Sequence, residues 1–176
     1  MILSVLIPIY NEKKTIEELI RRVRQVDITK EIIIVDDGSK DGTRDLLRQY
    51  ENDDDITVIY HTVNQGKGAA IRTAISHIKG DIVIIQDADL EYDPNDYPAL
   101  IAPIASGREK VIYGSRFLNP DNRHSYWSYY VGGQLVTFIA NVLYNQRLTD
   151  EPTCYKVFEA NLLRSIDLEC TQFEFC

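Results

Sequence analysis

The sequence predicts an α/β fold, a mostly parallel twisted sheet flanked by helices, and three observations predict it. Apolar runs rich in β-branched residues recur at 2–9, 31–35, 56–60, 81–85 and 110–113. Stretches with apolar residues at helical spacing lie between them, and the strand-like runs end in polar residues. Strand and helix in alternation signal a parallel, doubly wound sheet, whose ligand crevice lies beyond the carboxyl ends of the strands. A chain of 176 residues can bury one sizeable core but not two, so 1–176 is read as a single domain.

The first run, 2–9, is nearly continuous in apolar residues, as a strand buried on both faces should be. It leads into Tyr10, Asn11 and Glu12. Pro8, Tyr10 and Glu12 alternate, so an extended chain puts them on one side, where Tyr10 can stack on a base. Ile16, Leu19, Ile20, Val23 and Val26 then form one helical stripe. The second run, 31–35, ends in Asp36 and Asp37 before a Gly-Ser turn. Either carboxylate can accept a hydrogen bond from a nucleobase; a turn using Asp and Gly only for backbone geometry accounts for them equally well. Leu46, Leu47 and Tyr50 form the next stripe behind an Asp41 cap, and the acidic run 52–55 is a solvated turn before the third strand.

In NQGKGAAIRTAI, 64–75, Gly66 and Gly68 around Lys67 would bring backbone N–H groups and a cation to a diphosphate at a helix start; Ile71, Ala74, Ile75 and Ile78 form that helix's stripe. It is neither a Walker motif nor a dinucleotide fingerprint, which sets a dehydrogenase aside. The fourth run leads into QDADLEYDP, 86–94, in which Asp87, Asp89, Glu91 and Asp93 alternate. So many carboxylates at one strand end are costly unless something positive binds there. A hard divalent cation suits oxygen ligands that it shares with substrate phosphates. An acidic loop leading into a helix at Pro94 is the plainer alternative. The fifth run ends in Gly114, Ser115 and Arg116, and Arg116, Arg123 and His124 offer cations for an anionic acceptor.

Residues 125–146 carry no formal charge, but Gln134, Thr137, Asn141 and Asn145 share one helical side and Gly132 and Gly133 interrupt the run. A buried or membrane-interface helix is expected there rather than a spanning one. Tyr126, Trp127, Tyr129 and Tyr130 before it suit either a floor for a lipid tail or aromatic core packing. Lys plus Arg number 19 against 27 Asp plus Glu, a net charge of -8, which excludes a broad cationic surface for nucleic acid. Cys154, Cys170 and Cys176 are odd in number and lack CxxC spacing, and no signal-peptide pattern opens the chain, so a cytoplasmic setting is expected.

Taken in order, PIYNE, VDDGS, the GKGAA helix start, DADLEYDP, YGSR and LTDEPTCYKVF make the chain similar to glycosyltransferase family 2 over essentially its whole length. The resemblance is to the branch that includes dolichol-phosphate mannose synthase and other polyprenyl-phosphate glycosyltransferases. It implies the Rossmann-like GT-A fold and inverting transfer of a hexose from a GDP- or UDP-sugar to a polyprenyl or dolichyl phosphate. Transfer to a saccharide hydroxyl, or a non-catalytic nucleotide-sugar binding fragment, are the alternatives.

By the same resemblance Pro8, Tyr10, Glu12, Val35 and Asp37 line the nucleoside pocket, while Asp87, Ala88 and Asp89 hold the donor diphosphate and Mg2+ or Mn2+. Glu91 stands near the metal, Arg116 contacts phosphate, and Lys67 joins the donor-binding set. The catalytic set is Asp89, Arg116 and, for a hydroxyl acceptor, Asp150 as general base; Asp150 ordering a loop before Pro152 is the other reading. A phosphate acceptor is already ionised and needs only cations such as Arg116 and Arg123. The family continues beyond QFEFC, so the domain is expected to be cut short at its C-terminal end and to work in the cytoplasm, with peripheral contact at that face of a membrane.

Overall fold

The computed structural model describes residues 1–118 and 127–172, without the side chains of 127–131. Strand β1 (Leu3–Ile9) pairs in parallel with β2 (Lys30–Asp36) on one side and β4 (Ile82–Ile85) on the other. Strand β3 (Ile56–Tyr60) extends the sheet beyond β2, again in parallel. These are four of the five expected strands, and the fifth, β5 (Val111–Tyr113), runs in their direction too. A strand the hydropathy pattern did not announce, β6 (Lys156–Glu159), lies antiparallel between β4 and β5, so the order is β3-β2-β1-β4-β6-β5.

Helices α1 (Ile16–Gln25), α2 (Thr43–Leu47), α3 (Lys67–Ile75), α4 (Tyr97–Ala105), α5 (Trp127–Tyr144) and α6 (Ala160–Ser165) complete the fold. Alternation along each strand sends side chains to opposite faces of the sheet. Leu3, Val5, Ile7 and Ile9 therefore share one core cluster with Ile16, Leu19, Ile20 and Val23 of α1 and Tyr97 of α4. Leu6, Ile33, Val35 and Ile85 share the other with Ala70, Ile71 and Ala74 of α3 and Leu163 of α6. Consecutive strands step away from β1 in one direction to β3 and then in the other to β4. That reversal opens a crevice at the carboxyl ends of β1 and β4, the general place for a ligand in such sheets.

The turn after β2 depends on a buried charge. Asp36 has no exposed side-chain surface; it accepts hydrogen bonds from Arg44 Nε at 2.8 Å and from the Ser39 amide at 3.3 Å. Arg44 also donates to the His61 carbonyl at 2.6 Å and lies over the Tyr60 ring, so it ties α2 to the end of β3.

Helix α5 is inside out. Its polar side faces the protein: Thr137 is buried, donates to the Gly133 carbonyl and accepts from the Glu151 amide, while Asn141 exchanges hydrogen bonds with the backbone of Leu148. Leu135, Phe138, Val142, Leu143 and Tyr144 are exposed. The burial expected for this stretch therefore holds for Thr137, with Gln134 and Asn141 half-buried and Asn145 exposed. No helix among the described residues is long and apolar enough to cross a membrane.

Replacing Arg44 with Met should leave Asp36 buried and unpaired, and urea unfolding should show a loss of about 3 kcal/mol. A loss under about 0.5 kcal/mol, ordinary for a surface position, would refute this role.

Candidate functional site

The strand ends bring the polar motifs to one edge. Backbone bonds continue past the strands, from the Asp37 amide to the Ile9 carbonyl, from His61 to Asp36 and from Gln86 to Leu6, so Tyr10, Asp37 and His61 stand in a row, with Gln86 set further back beside Ile7. Asn11, at φ 59°, accepts from the Lys40 amide at its side-chain oxygen and donates its own backbone amide to Ser39 Oγ, lacing the β1 and β2 loops together. Tyr10 is exposed, whereas Pro8 and Glu12 are half-buried, with Glu12 receiving the Thr15 hydroxyl.

Asp37 is almost wholly buried. Its Oδ1 lies 2.6 Å from His61 Nδ1 and accepts from the Gln65 amide, and its Oδ2 accepts from the Gly66 amide at 2.8 Å. His61 Nε2 is 2.9 Å from Thr73 Oγ1, so a neutral imidazole donates to the carboxylate and accepts from the hydroxyl. A carboxylate has about four acceptor sites. Three are taken here. Val35, expected in the pocket, instead sends a fully buried side chain into the core against α3.

The GKG turn is used differently from what its glycines suggested. The Gly68 amide donates to the Gln172 carbonyl at 2.8 Å and the Ala69 amide to the Thr171 carbonyl at 3.2 Å, so backbone of this chain already occupies the start of α3. Gly66 has φ +96°, and a Cβ there would run into the Thr171 carbonyl oxygen; a Cβ at Gly68 would come within 2.9 Å of the Gln172 oxygen. The glycines make room for this passing segment, which Arg72 also grips through the Glu169 and Cys170 carbonyls. They do not present those two amides to a diphosphate.

Lys67 leans across to the end of β4. Its Nζ lies 2.7 Å from Asp87 Oδ1 and 2.9 Å from Oδ2, with both side chains about one-seventh exposed. Ala88 is buried, while Asp89 and Glu91 are exposed and Asp89 accepts from the Glu91 amide. Leu90 turns back into the core at φ 63°, a left-handed conformation costing about 1–3 kcal/mol, and so leaves the carboxylates on either side of it facing outward. Asp93 caps the next turn at the Asn95 amide.

Among the described residues, no three His, Cys, Asp or Glu side chains are grouped closely enough to hold a metal ion by themselves. Glu91 is therefore not gathered into a three-carboxylate cage with Asp87 and Asp89. The donor set suits a hard cation that takes one or two carboxylates and completes its shell with phosphate oxygens and water, and the Lys67 ammonium stands at both oxygens of Asp87.

Arg116 and Asp150, proposed separately from the sequence, hold each other. Asp150 has no exposed side-chain surface and accepts from Arg116 Nε and a terminal guanidinium nitrogen, both at 2.8 Å, and from the Arg116 amide at 3.0 Å. The bonds to Asp150 push the Arg116 pKa up from its ordinary value. A carboxylate buried and forked in this way orients Arg116 and orders the loop before Pro152; it is not offered as an exposed base. Arg123, His124 and Tyr126 lie outside the described residues, as do the side chains of Trp127, Tyr129 and Tyr130.

Sequence reasoning missed Gln86. Fully buried, it accepts from the hydroxyls of Tyr97 and Tyr155 and donates to the Asp87 carbonyl, so it fixes the backbone that carries the first carboxylate. Burial drives both tyrosine pKa values up and keeps the hydroxyls as donors. Nearby Tyr92 is pushed up to about 12, mainly by burial and then by Cys154, whose amide donates to its oxygen. A polar residue closing an apolar strand was the available signal for Gln86; nothing in the spacing singled out His61 or Thr73.

The profile described as Glycosyl transferase family 2 matches residues 4–167. The chain belongs to that family. Undecaprenyl-phosphate 4-deoxy-4-formamido-L-arabinose transferase of Salmonella choleraesuis is 40% identical over 114 residues, 61% of this chain and 35% of that protein; its Salmonella newport counterpart is 39% identical over the same lengths. The chain thus spans about a third of the length of these curated relatives.

Glucosyl-3-phosphoglycerate synthase of Mycobacterium tuberculosis, solved with Mn2+, UDP and phosphoglyceric acid, superposes with TM-score 0.71 at 23% identity, covering 93% of this chain and 57% of that one. A Pyrobaculum calidifontis mannosyltransferase solved with GDP-Man and Mn2+ gives 0.66 at 24% identity, covering 96% and 47%. These likenesses show the fold, the GT-A fold expected from the sequence.

Replacing Gly66 with Ala should cost about 1–3 kcal/mol, because the left-handed backbone and the Thr171 carbonyl both oppose it. Hydrogen exchange at the Gly68 and Ala69 amides should accelerate with the loss; unchanged exchange would refute the contact.

Proposed function

We propose that this domain transfers a hexose from a GDP- or UDP-sugar to a polyprenyl phosphate at the cytoplasmic face of a membrane, with Mg2+ or Mn2+ at the donor diphosphate. The observation that carries the reading is the fork between Arg116 and Asp150. A hydroxyl acceptor needs a general base, and the acidic residue expected to serve is buried against a guanidinium. An ionised phosphate needs none, and the part-exposed face of Arg116 suits it.

In this reading Tyr10 stacks on the base above Pro8 and Glu12, and Asp37 accepts from a base N–H. Asp87 and Asp89 would hold the divalent cation, which supplies charge neutralisation for the departing nucleoside diphosphate. Lys67 adds a second positive charge at the same place. Arg116, aimed by Asp150, holds the acceptor phosphate so that its oxygen meets the anomeric carbon opposite the leaving group and inverts it. The relatives named for undecaprenyl-phosphate transfer support this acceptor class, and the GT-A structures solved with Mn2+ and UDP or GDP-Man support the donor and the cation.

The apolar side of α5 fits the same acceptor. Its exposed residues carry no charge and its polar stripe is used against the protein, the reverse of a helix in water. We place that side in the outer part of the bilayer from which the lipid is drawn.

Replacing Asp89 with Asn should lower sugar transfer by at least about a hundredfold and remove metal-dependent binding of GDP or UDP in calorimetric titration. Retained metal-dependent binding would sink the donor assignment. Phe138→Glu with Leu143→Glu should abolish sedimentation with vesicles containing undecaprenyl phosphate and leave nucleotide binding intact. If that pair instead converts a dimer into a monomer with vesicle binding unaltered, α5 is an interface between copies and its membrane role is wrong.

A further inference from the structure

We propose that Lys67 is an internal counter-ion that occupies the Asp87 carboxylate until the donor arrives and then moves to the donor's diphosphate, so that metal and nucleotide bind as a coupled pair. This rests on the reading of Asp87 and Asp89 as the metal-holding carboxylates.

Both oxygens of Asp87 face the one ammonium, at 2.7 and 2.9 Å. A divalent cation approaching those oxygens alone meets a positive charge already at hydrogen-bond distance, and the two compete for the same lone pairs. A nucleoside diphosphate changes the balance, since it brings acceptor oxygens that can take the ammonium while the metal takes Asp87. Lys67 cannot give way by shifting its backbone. The Gly66 amide before it is bonded to Asp37, and the Gly68 amide after it to the Gln172 carbonyl. Its four-carbon stem is left as the part that moves, and the ammonium on it can turn its donors to a new acceptor.

The neighbouring pairs at this edge are built otherwise. Asp36, Asp37 and Asp150 have at most 4% of their side-chain surface exposed and each also accepts backbone amides, so each is locked to its partner. Asp87 and Lys67 are 14% and 15% exposed, within reach of an incoming ligand. Because linkage is reciprocal, nucleotide must strengthen metal binding by the same factor that metal strengthens nucleotide binding.

The test is Mn2+ binding, followed by electron paramagnetic resonance, to the wild-type chain, Lys67→Met and Lys67→Arg, each alone and with GDP or UDP. Lys67→Met should bind Mn2+ alone about tenfold tighter than wild type, the weight of one charge-assisted hydrogen bond, and should show a correspondingly smaller gain on adding nucleotide. Lys67→Arg keeps the competing charge and should stay weak for Mn2+ alone. Lys67→Met binding Mn2+ no tighter than wild type, while wild type binds it with nucleotide, overturns the exchange and leaves the metal reading standing. Wild type failing to bind Mn2+ even with either nucleotide overturns the metal reading and the exchange together. Should Lys67→Met fail to fold, NMR of the lysine side chain in the wild type decides: its Cε signal should move when Mg2+ and nucleotide are added together, and an unmoved signal overturns the proposal.

Discussion

The interaction on which the structure depends is the parallel pairing of β1 with β2 on one flank and β4 on the other. Those two pairings make β1 the strand from which the connections diverge. They place the end of β1 beside Asp36 and Asp37 on one hand and beside Gln86 and Asp87 on the other. They also bury β1 on both faces, which is why 2–9 is apolar almost throughout. The crevice and the central core are thus consequences of the same hydrogen bonds, and a sequence cannot change one freely without the other.

Gathering carboxylates at one sheet edge in a chain of net charge -8 creates an electrostatic problem. The fold meets it locally. Asp36 is given Arg44, Asp37 is given His61, Asp87 is given Lys67 and Asp150 is given Arg116. None of these partners comes from the strand that carries its carboxylate; apart from Arg44, they are 20 or more residues away along the chain. Apart from Asp36 and Arg44, which share the β2–α2 connection, each pair joins two connections at the edge and so ties the loops together.

The same separation explains what the sequence could and could not disclose. Five strands were legible because their β-branched runs are long enough to stand out. Strand β6 was not: Lys156 and Glu159 bracket only Val157 and Phe158, and its place in the sheet comes from pairing with β4 and β5. Buried Lys156 donates there to the Thr153 and Glu151 carbonyls and faces the Tyr113 ring. The motifs were legible as a set of residue types, but their partners were not, since no local rule connects Asp37 to His61 or Arg116 to Asp150. Gly66 and Gly68 were read as bringing backbone N–H groups to a diphosphate at the start of α3. The approaching group was misjudged, for it is the 170–172 segment and not a phosphate. The polar stripe of α5 was also legible, but its direction was not, because periodicity says that two sides differ and leaves open which one meets the protein.

Burial sorts these carboxylates by what they can do. A charge with no exposed surface and several donors cannot change partners without first being left unpaired in the interior, a cost of several kcal/mol. Asp36 and Asp150 are in that position, and Asp37 nearly so, which makes them framework: their partners set where a turn, a histidine or a guanidinium stands. Asp87 shares a partly open site with one flexible ammonium, and Asp89 is exposed beside it. Asp87 can therefore exchange its positive partner at lower cost than the buried three, which is the property the proposed donor site relies on. The spacing of DAD thus matters less as a count of carboxylates than through what separates them, since the buried Ala88 and the inward-turned Leu90 on either side of Asp89 leave that carboxylate in solvent.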